Sequence, residues 1–165
     1  MTPTTQTLLI TSGTPTFGYS VTDATGRTRG ELPLRWMPGD PIVLRFDGRD
    51  YRIDFERTRS GYVNDGFRFS LVDTQGDTLA TAEKVHGKRI FQASIHGMAH
   101  RLEKRGGFFS LRYELRAANG DMIGSLIETT GFSLWKRRFR WELPTGIGGP
   151  VGLFLFFLVA NLHFR

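Results

Sequence analysis

The sequence predicts a mainly β protein: a closed antiparallel barrel of roughly twelve short strands around one hydrophobic C-terminal helix. Three features predict it. Apolar residues alternate with polar ones along most of the chain up to Pro144. Glycine-containing turn signals interrupt these runs at short intervals. The chain then changes character and ends in GGPVGLFLFFLVANLHFR, its most apolar stretch.

The strands come first. In YRIDFE, Tyr51, Ile53 and Phe55 fall on one face and Arg52, Asp54 and Glu56 on the other. FRFSLVD repeats the pattern with Phe67, Phe69 and Leu71, and FSLRYEL with Phe109, Leu111, Tyr113 and Leu115. Such alternation marks strands with one buried and one wet face. Asp47-Gly48, Asp65-Gly66, Gln75-Gly76, Gly106-Gly107 and Asn119-Gly120 read as turns, since Asn-Gly and Asp-Gly supply the positive φ of tight hairpins.

Three segments share a plan: YSVTDATGRTRGEL, FSLVDTQGDTLATA and YELRAANGDMIGSL. In each, an aromatic residue opens an alternating strand, a polar turn follows, and a second strand returns. The turn glycines, Gly26, Gly76 and Gly120, are 50 and 44 residues apart, which indicates a structural repeat too irregular for a solenoid.

The apolar end admits two readings. Leu143 to Leu162 is a run of 20 uncharged residues, long enough for a bilayer span, with basic residues just before it. Pro144 and Pro150 argue against one continuous helix. They leave a helix over about 150–162 with apolar residues on every face, which must be surrounded. A barrel needs such a filling, so each half of the sequence accounts for the other. The expectation is a single domain over residues 1–165 with this helix at its centre; a tail-anchored protein with a cytoplasmic β-domain is the alternative.

The length of 165 residues suits one domain with a sizeable core. There is no cysteine, which excludes disulfides, thiolate metal sites and a cysteine nucleophile. The opening MTPTTQTLLITSGTP lacks a basic region and a long apolar core, so it does not read as a secretory signal. The net charge of +6 is uneven: residues 101–140 carry nine Lys/Arg against four Asp/Glu. Such a surplus attracts anionic partners, while a solvated arginine-rich surface is the plainer reading.

The leading candidate site is WKRRFRW. Period two puts Trp135, Arg137, Phe139 and Trp141 on one face and Lys136, Arg138 and Arg140 on the other. With the aromatic face inward, the three cations line the outside as a phosphate-binding row. The plain alternative is a solvated outer face, with Arg137 buried beside a carboxylate, whose row of like charges prevents wrong pairing. In HGMAH, His96 and His100 sit about 13 Å apart on a strand. That is too far for one metal ion, so they read as core histidines on the face of Met98 and Leu102. Gly146 and Gly148 precede an apolar helix without the βαβ context of a nucleotide loop. No Gly-x-Ser-x-Gly elbow is present, and His86, His96, His100 and His163 have no nucleophile motif beside them. The carboxylates read as scattered on wet strand faces. No catalytic residue, metal or cofactor is assigned; an enzyme with a site assembled from distant residues stays as a further alternative.

Paired strands with VTDATG and LVDTQG turns, a basic aromatic strand and a C-terminal apolar helix resemble the tubby C-terminal-like superfamily, in its LURP-one-related and phospholipid scramblase branch. The resemblance is one of plan and runs from about Phe17 to Phe164. It implies a twelve-stranded barrel around a central hydrophobic helix. It also implies a bacterial-type binding or scaffold module that contacts anionic phospholipid, as tubby domains bind phosphoinositides through basic surface residues. No lipid-binding residue of the family maps onto a position here. The acylated cysteines and acidic calcium-binding segment of scramblases are missing, so scramblase activity is not implied. The expected molecule is a monomer, cytoplasmic or peripheral at the inner membrane surface, without nucleic acid.

Overall fold

The computed structural model describes residues 4–13, 18–33, 41–60, 64–85, 88–106, 111–130 and 136–163. Its strands are β1 (Thr5–Ser12), β2 (Tyr19–Asp23), β3 (Thr28–Leu32), β4 (Ile42–Phe46), β5 (Arg49–Ser60) and β6 (Asn64–Val72). They continue as β7 (Thr78–Lys84), β8 (Ile90–Ile95), β9 (Met98–Arg105), β10 (Arg112–Ala117), β11 (Met122–Glu128) and β12 (Arg138–Pro144). A single 3-10 turn, Thr145–Ile147, leads into the helix α1 (Gly149–His163). Every strand is antiparallel to its neighbours, and β12 pairs back onto β1. The barrel is therefore closed and exposes no sheet edge.

Strand direction alternates, so the connections fall into two sets. The links β2–β3, β4–β5, β6–β7, β8–β9, β10–β11 and β12–α1 share one end, the turn end. The others share the opposite end, the mouth. The helix enters at the turn end, where Gly149 abuts Phe46. It descends past Trp141 and Leu143 at Gly152. Further down, Phe156 meets Tyr19 and Phe139 edge-on, at ring distances of 4.7 and 5.0 Å. Every residue from Val151 to Ala160 is buried. Each large apolar side chain contributes about 1.5–3 kcal/mol when taken out of water. The stretch that also read as an anchor has no face left for lipid in this fold. No described helix is long and apolar enough to cross a membrane.

The three-part repeat is built into the ring as β1–β4, β5–β8 and β9–β12. The second and third strands of each unit form the same hairpin. Gly26 donates to the Asp23 carbonyl, Gly76 to that of Asp73, and Gly120 to that of Ala117. The three glycines have φ of 84°, 90° and 90°, in the left-handed region that favours glycine. Register shifts by one residue at Val21/Thr22, Leu71/Val72 and Leu115/Arg116, the same place each time.

The fourth strand of the first two units ends in a two-residue turn with both φ positive: Asp47-Gly48 at 48° and 75°, His96-Gly97 at 50° and 78°. These are the hairpin turns that match strand twist. In the third unit Pro144 stands at this point with φ −57°. A proline ring cannot reach positive φ, so the chain turns into the helix instead of another strand.

Several expectations change. Asp65 and Gly66 lie within β6, opposite Arg59 and Thr58, and not in a turn. His96 is an exposed turn residue, and Met98 is 63% exposed, so of this group only His100 and Leu102 are buried. The turn displaces His96 and Met98 beyond the rows that the helix covers. Phe67 is 37% exposed, whereas Phe69 beside it packs on the helix and meets Phe157 at 6.0 Å. His86, Gly107, Phe109 and Trp135 lie outside the described residues.

Leu155→Asp and Phe156→Asp are expected to abolish folding, because they bury an unpaired charge. A soluble Leu155→Asp protein with an unchanged melting temperature contradicts this architecture. A Cβ at Gly149 overlaps the Phe46 ring. Gly149→Ala is therefore expected to cost about 1–3 kcal/mol, with part of the loss recovered when Phe46→Leu is added. Thermal melts of the four-member cycle measure that coupling.

Burial pushes the Tyr19 and Tyr113 hydroxyls up to about 12. A raised folded-state value means that these residues stabilise the barrel fully below about pH 10, the unfolded value, and lose that contribution as pH rises toward 12. Alkaline titration followed by tyrosinate absorbance is expected to show a late component tied to unfolding. Tyr19→Phe and Tyr113→Phe together remove it.

Candidate functional site

The outer face of β12 has the predicted layout. Phe139 and Trp141 point inward and are buried, whereas Arg138 and Arg140 are exposed on the outside; Lys136, also exposed, precedes the strand, which begins at Arg138 and not at Trp135 as expected. The strand fixes this parity by pairing on both sides: Trp141 lies opposite Leu8 on β1 and opposite Leu126 on β11. The backbone at Arg138 is tied to the end of β11, donating to Thr130 Oγ1 at 2.9 Å and accepting from Thr129 N–H at 2.7 Å.

The three cations are not equivalent. Arg140 Nε lies 3.3 Å from Glu142 Oε1, so its charge is shared. Lys136 and Arg138 have no ion-pair partner among the described residues. Arg137, on the same side as Phe139, forms a two-pronged pair with Glu128 at 2.8 and 2.9 Å; the carboxylate partner is as expected, but the arginine is half-exposed and not buried. The Arg137 guanidinium also lies 5.6 Å from the Phe139 ring centre. It is a structural clamp at the mouth.

A second cluster was not expected. Glu103 on β9 and Glu114 on β10 lie directly opposite each other on the outer face. Both are only 8% exposed, so not all carboxylates are solvated. Arginines cover them. Arg105 reaches Glu103 at 2.9 Å and Glu114 at 3.4 Å; Arg116 reaches Glu114 at 2.6 Å and also donates to the Gly120 carbonyl at 2.7 Å. Arg101 and Arg112 close the ends at 3.3 and 3.4 Å.

The sequence signal was Arg-x-Glu-x-Arg, present in both RLEKR and RYELR. Antiparallel pairing superimposes the two copies, with Arg112 opposite Arg105 and Arg116 opposite Arg101. Four guanidiniums surround two carboxylates, so the patch stays positive with every carboxylate engaged.

The remaining polar features are separate. His100 Nδ1 donates to the Met98 carbonyl at 2.8 Å, and His96 Nε2 lies 3.4 Å from the Ile147 carbonyl. No three His, Asp or Glu side chains converge on a metal geometry among the described residues. An open groove of about 610 Å³ crosses β6 to β9 on the outside. Thr81 and Ser94 face each other in it, and the next row runs Arg68, Glu83, Gln92, Arg101. It is a polar recess and is distinct from the β12 cations.

No family model, curated protein or solved structure matches the chain.

Removing the carboxylates from the β9–β10 ladder leaves four guanidiniums repelling one another. Glu114→Gln is expected to lower stability by about 1–3 kcal/mol, with a smaller loss in high salt, where the repulsion is screened. Denaturant melts at two salt concentrations check both points.

Proposed function

We propose that this protein is a non-enzymatic binding or scaffold module of the tubby-like plan that docks on anionic phospholipid at a membrane surface. Lys136 and Arg138 lead the contact, with Arg140 beside them. The observation that carries this reading is the exposed set of cations at and just before β12, two of which lack an ion-pair partner among the described residues. Unneutralised cations near an anionic bilayer contribute about 1 kcal/mol each. The positive arginine ladder on β9 and β10 adds to the same field.

The closed barrel with its apolar core helix agrees with the architecture that the tubby-like resemblance implies, and the reading places the protein at the cytoplasmic face of a membrane. The groove over β6 to β9 is lined by Thr81, Ser94 and Gln92 together with Glu83 and His100, but Glu83 is held by Arg68, His100 Nδ1 is held by the Met98 carbonyl, and no hydrogen bond joins either to a hydroxyl among the described residues. The binding reading therefore has more support than an enzymatic one.

Lys136→Glu, Arg138→Glu and Arg140→Glu together are expected to leave the melting temperature unchanged and to abolish sedimentation with phosphatidylserine vesicles. Wild-type protein that fails to bind such vesicles at low salt removes the support for this reading.

A further inference from the structure

We infer that the protein meets an anionic bilayer end-on, through the basic half of its mouth from β7 round to β12, with the C-terminus of the helix toward the membrane. This rests on the lipid reading above and adds the docking face and the orientation.

Charge is sorted along the barrel axis. Asp23, Asp47, Asp73, Asp77 and Asp121 sit at or beside the turns of the turn end, with Asp50 and Asp54 in the adjoining part of β5. Arg29 pairs there with Asp47 at 2.6 Å, Arg45 with Asp50 at 2.8 Å and Arg52 with Asp54 at 2.7 Å; Arg27 and Arg49 have no ion-pair partner among the described residues, and Asp73, Asp77 and Asp121 offset them. That end is close to neutral.

The mouth differs. All four lysines of the chain lie there: Lys84 ends β7, Lys88 lies in the β7–β8 connection, Lys104 is next to the end of β9, and Lys136 precedes β12. Arg89 and Arg138 lie in the same band. None of these six has an ion-pair partner among the described residues. The nearby carboxylates are already committed, Glu103 and Glu114 to the ladder and Glu128 to Arg137. Among the described side chains at this end, Glu31 and Glu56 are the acids without an ion pair, and they belong to β3 and β5, on the other half of the ring, where Asp65 near the start of β6 also lies.

The arrangement suits a flat charged surface better than a nucleic acid. The cations follow an arc around one rim instead of a groove that would track a phosphate backbone. Four of the six are lysines, compact charges without the planar fork that grips single phosphates. Lys104 carries the crowding: burial first, and then the Arg89 charge, hold its ammonium below the ordinary lysine range. An anionic surface relieves that repulsion. The lysines also lie at the end of the barrel where the helix dipole is negative, a purely structural role that the test must separate.

The test compares two exposed sets on opposite parts of the arc. One variant carries Lys84→Gln, Lys88→Gln and Arg89→Gln, and the other Lys136→Gln and Arg138→Gln. Sedimentation is measured with phosphatidylcholine vesicles containing phosphatidylserine, with pure phosphatidylcholine vesicles, and against an RNA duplex. Each set is expected to weaken binding to the anionic vesicles by about tenfold or more, with an unchanged melting temperature.

If only the β12 set matters, end-on docking is overturned while the lipid reading stands. If the wild type ignores anionic vesicles, or binds only the RNA, both fall. If the Lys84 set melts early yet binds normally, those residues serve the helix terminus and the inference is wrong. Because the chain has no cysteine, single labels report orientation. A fluorophore on Thr129→Cys at the mouth is expected to shift to the blue on vesicles, and one on Gln75→Cys at the turn end is not; the reverse pattern overturns the inference.

Discussion

A helix without a polar face has to be enclosed, and this requirement shapes the rest of the barrel. From Val151 to Ala160 every side chain is buried, so twelve strands must close round it and leave no gap. One hydrogen bond connects wall and filling at the centre: the Trp141 indole N–H donates to the Gly152 carbonyl at 2.7 Å. That bond sets the rotation and depth of the helix. It also explains the residue that accepts it, since a Cβ at Gly152 would lie 2.5 Å from Leu143 Cδ1 and 3.6 Å from the indole nitrogen. The wall adapts in turn. Gly30 and Gly124 occupy equivalent places in the first and third units, where an added Cβ would strike the backbone oxygens of Arg45 and Glu142. Ala80 holds the same place in the second unit, opposite Ile95.

The repeat shows how one local change yields a different fate for the third unit. Phe46, Ile95 and Leu143 are equivalent strand ends, each buried. The next residues are Asp47, His96 and Pro144. Asp and His tolerate the left-handed turn at modest cost, whereas proline cannot enter it. The chain therefore leaves the wall after β12 and takes up the axis. A closed barrel and its own plug come from the same four-strand unit with one altered corner.

The alternating strands, the hairpin glycines and the all-round apolar helix were legible in the sequence because each depends on near neighbours. Helix limits expected at about 150–162 fall at Gly149–His163. What failed depended on partners far along the chain. Asp65-Gly66 has the composition of a turn, but β5 and β6 form the longest ladder and carry the pairing through it. His96 looked like a strand residue because nothing local distinguishes HG from a strand interior; the hairpin that pairs Ile95 with Met98 makes it a turn. Glu103 and Glu114 looked solvated because each strand alone shows charges at every second position. Only their juxtaposition across β9 and β10 buries them.

The charge sorting was hidden for the same reason. Lys84, Lys88, Lys104 and Lys136 are spread over a third of the sequence, and no window contains them all. They meet because a meandering antiparallel ring sends alternate connections to the same end. A lysine near the end of an odd strand or the start of an even one is then delivered to the mouth, whatever its distance along the chain. Concentrating unpaired cations in this way costs self-repulsion, which a folded chain bears most easily where other stabilisation is abundant. The buried helix supplies that stabilisation, and its C-terminal carbonyls face the same end with a partial negative charge. The core thus permits an unbalanced mouth, while at the turn end aspartates and arginines nearly balance.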